Sequence, residues 1–264
     1  MNIHTTIENV LLRQDRAGVA RLTLNRPQAR NALSNALMAA LDAELVRIAG
    51  DPSVRAVVID AAGPAFCAGH DLRELRATPT REAYAALFAA CSVLMQRIVA
   101  LPKPVIAQVH GVATAAGCQL VASCDLAIAA DTARFATPGV NIGLFCSTPM
   151  VALSRTVGCK QAMEMLLTGE PIDAARAREI GLINRAVPEA DLATAVDTLA
   201  DSIAAKSPLV LAMGKQAFYR QAEMPLADAY SFTAEVMTRN MLAHDAGEGI
   251  DAFLARRPPV WTGT

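Results

Sequence analysis

Two rhythms of apolar residues run along this chain: short runs that alternate or stay aliphatic throughout, and longer segments with an apolar residue at every third or fourth place. Residues 10–15 and 19–25 read as two strands about a turn at Ala17-Gly18. In the second, Ala20, Leu22 and Leu24 alternate with Arg21 and Thr23, which predicts one buried face. Ser34 is placed to cap a helix with Leu37, Met38, Leu41, Leu45 and Ile48 on its inner side, ended at Gly50-Asp51-Pro52. Residues 54–61, 105–109 and 126–130 are apolar enough to be buried strands. Residues 62–72 read as a loop turning into a helical segment. Residues 81–99 read as a helix with Leu87, Phe88, Cys91, Leu94, Met95 and Ile98 inward, stopped by Pro102-Lys103-Pro104. His110-Gly111 breaks the 105–109 run, and the small residues of 113–120 lead into a helix ending before Asp125.

Beyond that centre, Thr148-Pro149 starts a helix that Gly158 ends, and residues 161–167 form another. Pro171-Ile172-Asp173 leads into a helix closed by Gly181, and residues 182–187 return as a strand. Residues 189–257 read as entirely helical, punctuated at Ser207-Pro208 and Met224-Pro225. The coarse order strand, strand, helix recurs, which predicts an α/β chain with a helical C-terminal extension.

Composition narrows the function. The 264 residues suffice for one large domain or two small ones, and the 53% hydrophobic fraction owes much to alanine. Aromatics are 4% with a single Trp261, which argues against a base-stacking platform. The formal charge is −1 and no basic run exists, so no nucleic-acid or anionic-membrane footprint is expected. No apolar stretch approaches the roughly 18–20 residues that span a bilayer. The N-terminal stretch lacks an apolar signal core, so a cytoplasmic enzyme is expected. Cys67, Cys91, Cys118, Cys124, Cys146 and Cys159 form no C-x-x-C and sit in apolar contexts, as reduced core residues do. His4, His70, His110 and His244 have no metal-ligand spacing, and no metal is expected.

G-x-S-x-G, P-loop and G-x-G-x-x-G signatures are absent from the sequence. Two strand-to-helix turns remain: Cys67-Ala68-Gly69-His70-Asp71-Leu72 and Ala115-Ala116-Gly117-Cys118-Gln119. Small residues at a helix start leave backbone N–H groups open to developing negative charge, and the same residues would also serve close helix–strand packing. Two such donors converging would make an oxyanion hole, worth roughly 10²–10³ in rate per donor.

The runs LTLNRPQARNAL, FCAGHDLREL, HGVATAAGCQLVASCDLAIAADTARFATPGVNIG, TGEPIDAARAREIGLINRAVP and GEGIDAFLARRPPVW keep the order of the crotonase superfamily (enoyl-CoA hydratase/isomerase), and the chain resembles that family over almost its whole length. The resemblance implies an α/β, ClpP/crotonase-like spiral of strand–strand–helix units in residues 1–200 and a helical trimerisation region in 201–264. It implies a homotrimer or a hexamer of two stacked trimers. It implies an acyl-CoA thioester as substrate, with coenzyme A entering only as part of it and no separate cofactor. The thioester oxygen would be held by the amides of His70 and Ala116. The CoA adenine would lie along Ala68, His70, Asp71 and Leu72. Arg26 and Arg30 are candidates for its phosphates, with Phe253 and Arg257, from this or a neighbouring subunit, near the nucleotide.

Departures from the family pattern bear on the reaction. Its hydratases use two glutamates; the matching positions here are Gln119 and Gly139. Neither residue shuttles a proton, and a positioned acid or base is worth about 10²–10⁴. Hydration in the usual manner is therefore not expected. His70 matches a histidine of the family's decarboxylases, whose chemistry needs enolate stabilisation but no carbon-proton base. Those enzymes carry a tyrosine where Cys146 stands here, a weaker donor. Bland readings remain for both: His70 pointing away, and Cys146 as apolar filler. A non-catalytic acyl-CoA binder is the rival from another class.

Overall fold

The computed structural model describes residues 9–264; His4 and the start of the N-terminal stretch lie outside the described residues. The chain opens with an antiparallel hairpin, β1 (Leu11–Arg16) and β2 (Val19–Leu24), followed by helix α1 (Asn35–Gly50). Ser34 caps α1, its side chain accepting from the Leu37 amide, and the five predicted inner residues are all buried.

Three strand–strand–helix turns follow. The first has β3 (Ala56–Ala61), β4 (Ala65–Cys67), α2 (Leu72–Ala77) and α3 (Arg81–Ala100). Next come β5 (Val105–Val109), β6 (Val112–Thr114) and α4 (Ala116–Ser123). The third has β7 (Leu126–Ala130), β8 (Arg134–Ala136), a tight turn at Pro138–Ile142, α5 (Pro149–Thr156) and α6 (Cys159–Thr168). Strand β9 (Ile172–Asp173), helix α7 (Ala174–Glu179) and strand β10 (Arg185–Val187) complete the spiral. Helices α8 (Leu192–Ala204), α9 (Pro208–Gln221), α10 (Leu226–Met241) and α11 (His244–Leu254) end the chain, as the sequence predicts.

The long strands form one sheet in the order β1-β2-β3-β5-β7-β10, and the short ones a second in the order β4-β6-β8-β9. Pairing is parallel along β2-β3-β5-β7-β10 and along β4-β6-β8. Each long strand hands the chain to a short one, so the spiral is the strand–strand–helix recurrence made three-dimensional. The alternation of side chains explains its two-sided core. Val57, Ile59, Val105, Ala107 and Ala129 pack toward α1, α3 and α4, whereas Ala56, Val58, Ile106, Ile128 and Ala130 meet Leu192, Val196 and Ala200 of α8. Residue 200 thus falls inside a helix that belongs to the sheet.

Three readings need correction. The 62–72 loop contains β4, and residues 112–114 form β6 rather than a lead-in to the helix. Three-residue strands carry too little periodicity to register; they form because a neighbouring turn of the spiral offers a ladder. Phe88 is not inward but 38% exposed. And α3, 20 residues with a mean hydropathy of 1.6, is long and apolar enough by composition to cross a membrane. Its alanines raise the average; its Leu87, Cys91, Leu94, Met95 and Ile98 face is buried in the protein core.

Candidate active site

The β4–α2 turn is stitched to the segment before α1. The Ala68 amide donates to Arg30 O (3.0 Å), Leu33 N donates to Gly69 O (2.7 Å), and Asp71 N donates to Leu33 O (3.2 Å). This pattern skips His70, whose amide has no backbone partner among the described residues. Asn31, fully buried with φ 53°, holds the preceding loop: its Nδ2 donates to Ala62 O and Ala65 O (2.8 Å each), and its Oδ1 accepts from Arg26 N (2.8 Å). The sequence signal for this role is an asparagine three residues ahead of the Ser34 cap, a residue type that tolerates left-handed backbone.

The second turn, β6–α4, is strained. Ala115 has φ 50° and ψ −117°, a region that costs a non-glycine residue about 1–3 kcal/mol. Its amide donates to Ala136 O (2.9 Å) on β8. No side chain caps α4, so the Ala116 amide is left open. The two turns touch. A Cβ placed on Gly69 (φ +93°) would lie 2.9 Å from Ala115 Cβ and 3.4 Å from Ala116 N. A Cβ on Gly117 would lie 2.1 Å from Cys67 O, so glycine is what lets the first turn of α4 sit against β4. The predicted donors His70 and Ala116 therefore stand on adjacent turns, both with free amides.

The walls carry the remaining predicted residues. The His70 imidazole stands edge-on to Phe88, centroids 5.6 Å apart at 76°, with its ring nitrogens buried and the Leu33 backbone beside them. Burial pushes its pKa below the usual imidazole range, so the ring is neutral at pH 7. Gln119 is 4% exposed, with its Oε1 accepting from Cys91 Sγ at 3.9 Å. Gly139 is buried, and its surroundings are full: an added Cβ would lie 2.7 Å from Leu144 O and 2.9 Å from Cys146 Sγ. Burial raises the thiol pKa of Cys146, Cys91 (to about 11) and Cys118 (to about 12), so these sulfurs stay protonated.

Of the residues expected at the nucleotide, Arg26 is occupied structurally: its guanidinium donates to Asp71 Oδ2 (2.9 Å) and to Ala32 O (2.7 Å). Burial works against the charge on Asp71, but Arg26 and the Arg73 and Glu74 amides together hold its carboxyl below the usual range. Arg30 is exposed, its side chain unpartnered among the described residues. Ala68 is half-buried, and Leu72 is 51% exposed at the start of α2. Phe253, at the end of α11, is 82% exposed. Arg257 is gripped by both carboxylate oxygens of Glu248, at 2.6 and 2.7 Å. Helix α11 packs with α9 and α10. Among the described residues no group of three or more His, Cys, Asp or Glu side chains is placed to hold a metal ion.

A spiral of parallel strand pairs with two open amides at its strand-to-helix turns is the arrangement that the resemblance implied. The enoyl-CoA hydratase/isomerase family profile matches residues 14–264. The chain belongs to that family. It is 49% identical to enoyl-CoA hydratase domain-containing protein 3, mitochondrial, of Xenopus laevis, over 94% of this chain and 85% of that protein. The Homo sapiens protein of the same name is 47% identical over 93% of this chain and 81% of its own length. The crystal structure of an enoyl-CoA hydratase from Mycobacterium smegmatis superposes with a TM-score of 0.94 at 55% identity, covering 96% of this chain and 99% of the other. The crotonase fold is thereby shown, and with it the subgroup that the runs GHDLREL, AAGCQLVASCD and FATPGVNIGLFCSTP most resemble. The expected cytoplasmic location is corrected: the Xenopus and human relatives are named as mitochondrial. An apolar signal core marks secretion, and the lack of one does not separate the cytoplasm from the mitochondrion.

Proposed function

We propose that this family member binds an acyl-CoA thioester and stabilises its enolate between the amides of His70 and Ala116. The observation that carries the reading is the contact of the two turns: Gly69 lies against Ala115, and both neighbouring amides are free. Backbone donors held by packing need no reorganisation when charge develops, which is why such holes are effective. The strain at Ala115 supports the same reading, since it aims the Ala116 amide outward from the start of α4.

The family's usual hydration is not the favoured reaction here. Gln119 and Gly139 supply no proton shuttle, and Leu144 and Cys146 fill the space beside Gly139. Decarboxylation of a malonyl-type thioester is the second reading, favoured by the buried, neutral imidazole of His70. In that step the C–CO₂ bond breaks, carbon dioxide leaves, and its electron pair becomes the enolate. Arg30 is the candidate for a CoA phosphate that remains free. A homotrimer, or a stack of two, is supported by α10, where Leu226, Tyr230, Met237 and Met241 are all more than half exposed on one face.

The test is incubation with crotonyl-CoA and with a malonyl-type thioester, followed by mass spectrometry. Loss of carbon dioxide at a rate exceeding hydration is expected. Replacing the Ala116 amide N–H by an ester oxygen deletes one donor and leaves the backbone path unchanged, and is expected to lower turnover about 10²–10³-fold. Fast hydration of crotonyl-CoA would overturn the reading of Gln119 and Gly139. Binding without turnover on either thioester would favour a non-catalytic role.

A further inference from the structure

The His70 amide takes its direction from the peptide before it. Leu33 N donates to Gly69 O (2.7 Å), and the Gly69–His70 peptide is trans. In a planar trans peptide the carbonyl and the N–H point opposite ways. Holding Gly69 O on Leu33 therefore sends the His70 N–H away from the 30–33 segment. It is left free beside the Ala115–Ala116 turn, which lies against Gly69.

What holds Leu33 is its own segment. Leu33 is fully buried, and the chain reaches it through two successive left-handed residues, Arg30 (φ 50°) and Asn31 (φ 53°). Backbone of that kind persists only where its surroundings over-determine it, and it clusters at functional sites. Here the Asn31 side chain does the determining. It is fully buried, and both its N–H groups are used, on Ala62 O and Ala65 O (2.8 Å each). Its Oδ1 accepts from Arg26 N (2.8 Å), while its own amide donates to Arg26 O (2.9 Å). Ala62 follows β3 and Ala65 opens β4, so one side chain ties the left-handed bend to both ends of the loop that leads into the His70 turn.

We propose that Asn31 is the positioning residue of the first oxyanion donor: it seats Leu33 so that the Leu33 amide, by fixing the Gly69 carbonyl, aims the His70 N–H at the thioester oxygen. The inference rests on the enolate reading above and deepens it. Asn31 touches no reacting atom; it acts through Leu33 and Gly69.

The test is a pH titration of acetoacetyl-CoA bound to the intact protein, followed by the ultraviolet absorbance of its enolate, with butyryl-CoA affinity as the reference. The wild type is expected to lower the pKa of acetoacetyl-CoA below that of the free thioester. Asn31→Gly removes the three side-chain bonds, and glycine accepts φ 53° without strain. It is expected to raise the bound pKa by about one unit, a tenfold loss of preference for the enolate, with butyryl-CoA affinity unchanged. A merely structural role would weaken both ligands alike and leave the bound pKa at the wild-type value, which would overturn the role given to Asn31. If Asn31→Gly does not fold, an ester oxygen in place of the Leu33 N–H removes the one donor to Gly69 O and is expected to give the same shift. An unmoved pKa in that variant would overturn the inference alone. A wild type that binds acetoacetyl-CoA without lowering its pKa would overturn the enolate reading and the inference together.

Discussion

Gly69 and Ala115 stand so close that a methyl group on Gly69 would lie 2.9 Å from the Ala115 Cβ. That single contact joins the β4–α2 turn to the β6–α4 turn, two loops 46 residues apart in sequence (115 − 69). It is the geometric basis of the oxyanion hole proposed above, and Gly69→Ala tests it. The substitution imposes both the clash and an L-residue at φ +93°. It is expected to destabilise the fold by about 1–3 kcal/mol and to lower turnover by about 10²-fold or more. Urea unfolding and steady-state kinetics check the two effects separately. Ala115→Gly, by contrast, relieves φ 50° and is expected to gain up to about 1 kcal/mol after the extra chain entropy of glycine.

Restoring glutamates at positions 119 and 139 is expected to fail as a route to hydration. Any side chain at 139 meets Leu144 O and Cys146 Sγ below 3 Å, so Gly139→Glu overpacks its neighbourhood by about 1–3 kcal/mol. The Q119E/G139E double variant is expected to show little gain on crotonyl-CoA. Adding Cys146→Gly removes the sulfur but not the closer Leu144 carbonyl, so hydration is expected to stay low in the triple variant as well. A strong gain in the double variant alone would show that the 144–146 segment yields readily.

Lys215 tests how the C-terminal helices are fastened. From α9 it reaches Asp125 Oδ2 (2.7 Å), Ile98 O (2.9 Å) and Lys103 O (3.0 Å) with only 7% of its side chain exposed. Asp125 also accepts from Val105 N (2.7 Å) and Tyr219 O–H (2.9 Å). Lys215→Met leaves a buried carboxylate without its cation and is expected to cost about 3–5 kcal/mol. Adding Asp125→Asn removes the stranded charge and is expected to recover part of the loss in chemical denaturation.

Asp245 gives the stability an acid limb. It is 1% exposed and accepts from Ser207 Oγ (2.6 Å), Thr262 N (2.8 Å), Thr262 Oγ1 (3.0 Å) and Gly263 N (3.0 Å), clasping the C-terminal tail. Burial opposes its charge, but these donors prevail and pull its pKa down to about 2. The folded value lies below the unfolded one, so the contribution is full above about pH 4 and is lost as pH falls toward 2. Melting temperatures of wild type and Asp245→Asn are expected to differ at pH 7 and to converge over that window.

Much of this protein is set by local pattern. Ser34 and the five inner residues of α1, the three long strands and the helical C-terminal region with its breaks at Ser207-Pro208 and Met224-Pro225 were all legible, because capping and periodicity act over a few residues; the break between α10 and α11 was not. The family and the positions of its two open amides were legible as well, since they sit in contiguous motifs. Other features needed the folded chain. Strands β4, β6 and β8 exist only because successive turns of the spiral supply their partners. Arg26 looked free until Asp71, 45 residues on, arrived to hold it. Gly139 looked like a missing acid, whereas the structure shows a site already filled by Leu144 and Cys146. Phe88 had the periodicity of a core residue, yet the shape of the turn around His70 left it at the site's edge. Local chemistry specifies which elements form. Which of their side chains are occupied, crowded or free is decided by contacts between residues that sequence separation keeps apart.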